Sequence, residues 1–419
     1  MSSMPNIEVH KYGGTSLSSF ERIQAIALKT QAYQVEHNVQ VVLVLSAMGD
    51  ATDKLMNAAY ALSKEPDLAA LDVLLSVGEQ QSCALMAIAL KALGLQARVY
   101  SGGAAGLYTD ACHGQAKIES VEVKSLQHAL QVGVIPVVTG YQGVSPQGQV
   151  TTLGRGGSDL TAVVLAHALS VRCLIYTDVE GVYTADPRVI EGAKQLPMAS
   201  MSSMLLFSEL GAQVMQPLAV EYALNHQVSL SIHAAQHAQS EGTRLSISGD
   251  HLECDLRGVV IDSSVTEIHL THVEDEGALN RLLQRFRLHG VCVDLLGTAV
   301  YAGQVRCWVM VLQEAHHLWC LEALNAAGIQ YTLRTGLSRV SLVFNPMQAL
   351  FETAERVAES IQVIPLRRLN TAQRLTYLVE QSEALILAQQ WHDLLMLHLN
   401  KNFTKSEALF EEGVSSIKG

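Results

Sequence analysis

Over the first 250 residues, short β-branched runs alternate with longer stretches of helical periodicity, and this alternation limits the fold more than any other feature of the chain. Ile7 to Val9, Val41 to Leu45, Ala97 to Tyr100, Val134 to Thr139, Leu174 to Thr177 and Val228 to Ile232 read as strands. Phe20 to Val35, Leu71 to Leu93, Leu160 to Leu169 and Gly211 to Asn225 read as helices. Strands separated by helices pair in parallel through crossovers, so the expected class is α/β, a three-layer αβα sandwich around a mostly parallel central sheet. Ligands bind such sheets beyond the carboxyl ends of the strands. Polar or glycine-rich loops follow several of the candidate strands, at Lys11 to Ser16, Ser46 to Asp53, Ser101 to Asp110 and Thr177 to Arg188.

The segment T-T-L-G-R-G-G-S-D, Thr151 to Asp159, has the makeup of an anion site. Glycines allow close backbone approach, N–H groups at a helix start face negative charge, and arginine grips a carboxylate through two hydrogen bonds. A second such loop, Lys11-Tyr12-Gly13-Gly14-Thr15-Ser16, lies between the first strand and the first helix, the order that cradles phosphate. Neither loop has the spacing G-x-x-x-x-G-K-[ST] or G-x-G-x-x-G, so both of the commonest glycine motifs are excluded.

At 419 residues the chain is long enough for two or three domains, and 49% hydrophobic with 16% charged residues is the makeup of a folded globular protein. A net charge of -12 argues against nucleic acid or an anionic membrane surface as partner, leaving local positive potential at Lys11, Arg155 and Arg188. Seven cysteines, none in C-x-x-C spacing, indicate neither a disulfide framework nor a zinc site and fit a reducing compartment. No uninterrupted apolar stretch of membrane-spanning length is expected, so the reading is a cytoplasmic protein.

The pattern changes around residues 240–250, where a domain boundary is expected. Beyond it, Thr266 to Leu270, Ala278 to His289, Val291 to Leu296, Val305 to Leu312 and His317 to Ala327 read strand, helix, strand, strand, helix, a small α+β module. A weaker second copy begins with Val340 to Phe344 and Ala349 to Ser360. The expected division is 1–250, 262–337, 338–400 with the two modules interleaved in space, and a tail over 401–419.

Five segments together resemble the aspartate kinases, which join an amino-acid-kinase domain to C-terminal ACT domains of ferredoxin-like fold. They are V-H-K-Y-G-G-T-S-L (Val9 to Leu17), S-A-M-G-D-A-T-D (Ser46 to Asp53), G-E-Q (Gly78 to Gln80), T-T-L-G-R-G-G-S-D, and Y-T-D-V-E-G-V-Y-T-A-D-P-R (Tyr176 to Arg188), in the family's order. The resemblance implies transfer of the ATP γ-phosphoryl group to the side-chain carboxylate of L-aspartate. Such a carboxylate, with a reference pKa of about 3.9, is ionised at neutral pH, so attack on phosphorus needs no general base. The need is alignment of two anions and neutralisation of their charge.

By the same resemblance, Lys11 and Asp159 are the catalytic pair, with Asp159 orienting Lys11. Thr52, Glu79, Arg155, Gly156, Gly157 and Ser158 hold the amino acid, Arg155 and Thr52 at its carboxylates and Glu79 at its ammonium. Lys11, Tyr12, Gly13, Gly14, Ser16, Thr177, Asp178, Tyr183, Asp186 and Arg188 hold ATP, with Mg²⁺ carried on the nucleotide. A homodimer through the ACT-like modules and a lysine or threonine effector are also implied. Read alone, Asp159 is equally a cap for a helix starting at Leu160, a role compatible with catalysis.

The chain departs from the family at two places. Gln213 stands where aspartate kinases usually carry lysine, and Gln216-Pro217-Leu218 where they usually carry His-Pro-Arg, so weaker ATP affinity is expected. In the first module only Gly277 of the usual Pro-Gly remains in Val273 to Gly277, so weak or altered feedback is expected. A kinase acting on glutamate, acetylglutamate or UMP, and a catalytically weak regulatory subunit, are the alternatives. The C-terminal half argues against the first, and Lys11, Arg155 and Asp159 against the second.

Overall fold

The computed structural model describes residues 6–154, 156–236, 241–247, 257–272, 276–288, 291, 293–301, 304–313, 317–343, 353–356, 358–359, 362–371 and 373–397. Arg155, residues 273–275 of the altered module and the 401–419 tail therefore lie outside the described residues, as do residues 240 and 248–250 of the expected boundary.

The N-terminal half begins with β1 (Asn6–Tyr12), α1 (Phe20–His37), β2 (Val39–Leu45), α2 (Ala51–Leu62), α3 (Leu68–Ala92) and β3 (Ala97–Tyr100). It continues with β4 (Leu107–Thr109), β5 (Ile118–Val121), α4 (Lys124–Gln131), β6 (Ile135–Thr139), β7 (Gln142–Val144), β8 (Val150–Thr152), α5 (Gly157–Leu169) and β9 (Arg172–Thr177). Then come β10 (Met198–Ser200), α6 (Met201–Glu209), α7 (Pro217–Asn225), β11 (Leu230–Ala234) and β12 (Thr243–Ser246). Eight strands form one sheet in the order β10-β12-β11-β9-β1-β2-β6-β3, with β11–β12 its antiparallel pair. Val41, Leu43 and Leu45 enter one core with α1 and α3, while Val42 and Val44 enter the other with α5 and α7, so β2 is buried on both faces. The three-layer expectation is met.

Local differences have local causes. β1 runs on to Tyr12, whose ring stacks on Tyr176 at 4.5 Å, so Lys11 and Tyr12 are strand residues rather than loop. α5 starts at Gly157 because Gly156 adopts φ +73° at the N-cap, which puts Ser158 and Asp159 inside its first turn instead of capping at Leu160. α7 starts at Pro217 rather than Gly211, since proline has a fixed φ and no N–H to lose at a helix start. The three- and four-residue strands of the small sheet β5-β4-β7-β8 are too short to show a period in the sequence. α3 is apolar and long enough by composition to cross a membrane, with mean hydropathy 1.4 over 18 residues, contrary to expectation. Its buried Asp72, Ser76, Glu79 and Ser82 recur at helical spacing, and it is a core helix.

The C-terminal half comprises β13 (Gly258–His272), α8 (Glu276–Leu288), β14 (Asp294–Tyr301), β15 (Gln304–Gln313), α9 (His317–Ala326), β16 (Gln330–Val343), β17 (Arg367–Asn370) and β18 (Arg374–Glu380), then a helix over 381–397. Its six strands form one antiparallel sheet, β14-β15-β13-β16-β18-β17. The position 337/338 falls within β16, which pairs with β13 from Gly258↔Val343 to His272↔Gln330. One core beneath this sheet gathers Phe286, Cys320 and Leu324, and another gathers Trp391, Leu395 and Leu342.

Candidate active site

β1 is central, with β2 on one side and β9 on the other, so the chain reverses its direction of travel across the sheet there. Such a switch point leaves a crevice at the strand ends. Lys11, one residue from the end of β1, meets Asp159 of α5 at 2.5 Å between Nζ and Oδ1. Their side chains are 12% and 8% exposed, so this ion pair stands in a nearly water-free setting. Asp159 Oδ2 also accepts a hydrogen bond from the Gln216 backbone N–H at 3.3 Å.

The loop after β1 is pressed against the loop after β2. Gly49 N–H donates to Gly14 O at 3.0 Å, and a Cβ on Gly14 would lie 2.9 Å from the Ala47 carbonyl oxygen. A Cβ on Gly13 would sit 3.5 Å from Lys11 Nζ, so the glycine gives the ammonium open backbone as a neighbour. Ser16, in a 3-10 turn, is buried and its Oγ has no hydrogen-bond partner among the described residues.

α3 supplies Glu79, 3% exposed, whose Oε1 accepts from Ala47 N–H at 3.0 Å. Burial pushes its carboxyl up to about 7, the Ala47 N–H offsetting only part of that. Its Oε2 is buried and unpaired among the described residues, the condition of an acceptor that a ligand completes. Ser82, one turn on, donates to Ser46 O at 2.7 Å and ties the same loop to the helix. Thr52 stands half-buried in the first turn of α2, directly after that loop.

At the start of α5, Ser158 crosses over Gly140 so closely that a Cβ there would be 2.5 Å from Ser158 Oγ. A Cβ on Gly156 would run into Gln216 at 2.0 Å, and one on Gly157 would come within 2.9 Å of Leu153 and Tyr141. The structure thus brings Lys11, Gly13, Gly14, Glu79, Ser158 and Asp159 to one end of the sheet. Gln216, read from sequence only as a departure, lies over Gly156 and holds Asp159 through its backbone. A proline after a polar residue signalled the helix start but not that contact.

Thr177, the last residue of β9, and Asp178, Tyr183, Asp186 and Arg188 beyond it make up a second group. Arg188 pairs with Asp186 at 2.8 Å and Asp178 at 3.7 Å, with 55% of its side chain exposed. Arg188 holds the Asp186 carboxyl below its ordinary range. Tyr183 Oη donates to Glu180 Oε2 at 3.3 Å. This loop rests on the C-terminal half: Val259 N–H donates to Thr184 O at 2.8 Å, Thr184 Oγ1 lies 2.9 Å from buried His392 Nε2, and Ala185 and Ile190 enter the core of Trp391. Gln389 holds both the N–H and the carbonyl of Glu191, at 2.9 and 3.1 Å.

Residues 6–233 match the model of the amino acid kinase family. An aspartokinase of Geobacillus stearothermophilus is 34% identical over 399 residues, covering 92% of this chain and 96% of the relative. Crystal structures of E. coli aspartokinase III share the fold at 22% identity. The complex with aspartate and ADP superposes with TM-score 0.75 over 93% of this chain and 100% of that one. The complex with lysine and aspartate gives 0.67 over 93% and 99%. Matched over 92% of its length by a relative of this identity, and by the family model over residues 6–233, the chain belongs to the aspartokinases of the amino acid kinase family.

Proposed function

We propose that this chain transfers the γ-phosphoryl group of ATP to the side-chain carboxylate of L-aspartate, giving 4-phospho-L-aspartate, the first step of lysine, threonine and methionine biosynthesis. The observation that carries the reading is the buried Lys11–Asp159 pair at the switch point, flanked by Gly13-Gly14 and by the unpaired Glu79 oxygen. A fixed ammonium in a low-dielectric crevice stabilises charge as it spreads over the transferring group. Asp159 sets the position of Lys11 and keeps its charge compensated until phosphate arrives. Gly13, Gly14, Tyr12 and Ser16 line the phosphate path. Thr177, Asp178, Tyr183, Asp186 and Arg188 take the nucleotide, with Arg188 exposed enough to turn from Asp186 to phosphate.

On the acceptor side, Glu79 takes the ammonium of aspartate, which supplies the positive partner that its second oxygen lacks. Thr52, Ser158, the Gly156-Gly157 amides and Arg155 take the carboxylates; the helix start at α5 favours negative charge there. Mg²⁺ on the ATP oxygens supplies further charge neutralisation. A cation that keeps most of its waters needs one or two carboxylates rather than a cage, and Asp159, Asp178 and Asp186 are the carboxylates that would be within the proposed ATP site. Cytoplasmic residence, a homodimer through the C-terminal sheet, ACT-like modules over 262–337 and 338–400, and a lysine or threonine effector complete the reading. Its support is the family and the lysine named in one E. coli complex.

The test is acyl-phosphate formation trapped by hydroxylamine with Mg-ATP and L-aspartate, L-glutamate or no acceptor. Signal with aspartate alone, lost in Asp159→Asn, is the expected outcome; signal with glutamate alone would replace the substrate.

A further inference from the structure

Asp72 is a fully buried carboxylate on α3, two helical turns before Glu79, and none of the steps above uses it. It binds two segments at once. Thr152 Oγ1, at the end of β8, donates to Asp72 Oδ1 at 2.5 Å. The Gly114 N–H donates to Oδ1 and Oδ2 at 3.0 and 3.1 Å, and His113 Nδ1 lies 2.7 Å from Oδ2.

These partners enclose the approach to the anion loop. Ala116 N–H donates to Thr152 O at 2.8 Å, and Thr109 Oγ1 and Thr151 Oγ1 are 2.6 Å apart. Leu153 N–H donates to Tyr141 O at 2.8 Å. A Cβ on Gly154 would meet Gln115 Cγ at 3.5 Å and Gly114 O at 3.7 Å. Thr151, Thr152 and Leu153 are therefore each hydrogen-bonded from outside, and Asp72 joins the 113–116 segment to Thr152. The same helix face then reaches β7 through Gln142 Nε2 donating to Ser76 O at 3.1 Å, and the loop after β2 through Glu79 and Ser82.

We infer that Asp72 is a positioning residue for the acceptor pocket: with Thr152 and the 113–116 segment it fixes the Thr151 to Leu153 approach to the start of α5 relative to Glu79. Carboxylate ligands and ammonium ligand of one substrate are thereby referenced to one helix. This rests on the proposed acceptor reading. A buried carboxylate with three donor groups has no tolerance for a neutral amide, because the NH₂ introduced by Asp72→Asn would face N–H or O–H groups that also donate.

The experiment compares wild type, Asp72→Asn, Thr152→Val and Thr152→Ser. Asp72→Asn and Thr152→Val are expected to raise KM for aspartate about ten- to hundredfold while leaving KM for ATP within about twofold, the size of effect that a misplaced binding group produces. Thr152→Ser, which keeps the hydroxyl, is expected to restore the wild-type value. Amide hydrogen exchange of residues 151–158 without ligand should quicken in the first two variants and not in the third. Both KM values rising together, or a lowered Tm with unchanged KM and unchanged exchange, would overturn the assignment. If the wild type turns over a different acceptor, the acceptor reading fails, and the exchange comparison alone decides whether Asp72 holds the loop.

Discussion

Glu8 and Glu79 are both 3% exposed, both lie in the catalytic half, and their carboxyl groups behave oppositely. Burial pushes each upward. At Glu8, hydrogen bonds from His10 at 3.1 Å and Arg172 at 2.8 and 2.5 Å more than reverse it, and the group titrates at about 2. Glu79 has one backbone N–H, and burial leaves it at about 7. The chain has supplied Glu8 with a cation, Arg172, and left Glu79 without one. A structural carboxylate is complete in the folded chain, whereas a substrate-binding carboxylate is completed by what it binds.

The largest test of this contrast is Glu79→Gln, expected to raise KM for aspartate by about a hundredfold or more, since truncating one partner of a buried charged contact costs roughly 2–5 kcal/mol. Steady-state kinetics at saturating ATP would show it, and an unchanged KM would remove Glu79 from the ammonium site. Next is pH. Glu79 is neutral below about 7 and a carboxylate above it, so kcat/KM for aspartate should rise about tenfold from roughly pH 6 to pH 8, and flatten in Glu79→Gln.

Stability separates the two groups further. Glu8→Gln should lose about 1–3 kcal/mol, discounted because the Arg172 side chain is 53% exposed, with little change in KM, as read by denaturant unfolding at neutral pH. The Glu8 contribution is present above its unfolded value of 4.5 and lost as pH falls toward 2. For Glu79 the sign is reversed: between 4.5 and about 7 the folded state holds more protons than the unfolded, so this group lowers stability as pH rises through that window. Glu79→Gln should abolish that slope in Tm. The smallest effect belongs to a cation absent from this chain. Gln213→Lys, at an exposed position three residues before Gln216, is expected to lower KM for ATP by about two- to fivefold and leave KM for aspartate alone.

Much of this was readable in the sequence, because parallel strands buried on both faces are continuous apolar runs and glycine loops stand at their ends. The five motifs also located Lys11, Glu79 and Asp159. The geometry between them was not readable. That Asp159 reaches Lys11 depends on Gly156 turning left-handed and starting α5 three residues early, and positive φ at a glycine leaves no trace in periodicity. Gln216 and Asp72 act through partners 57 and 80 residues away, at Asp159 and Thr152, and such contacts have no local signature. The small sheet escaped because three-residue strands carry no pattern.

The seating of the Thr184–Glu191 segment on His392, Gln389 and the Trp391 core has a consequence for how the protein comes into being. A chain made from its N-terminus folds its early units first. The sheet, the Lys11–Asp159 pair and the acceptor pocket are all encoded before residue 247, but most of the floor under the nucleotide segment is encoded after residue 339. Half-made chains would carry a finished acceptor pocket beside an unsupported nucleotide segment, so turnover would begin only as the helix over 381–397 leaves the ribosome and docks.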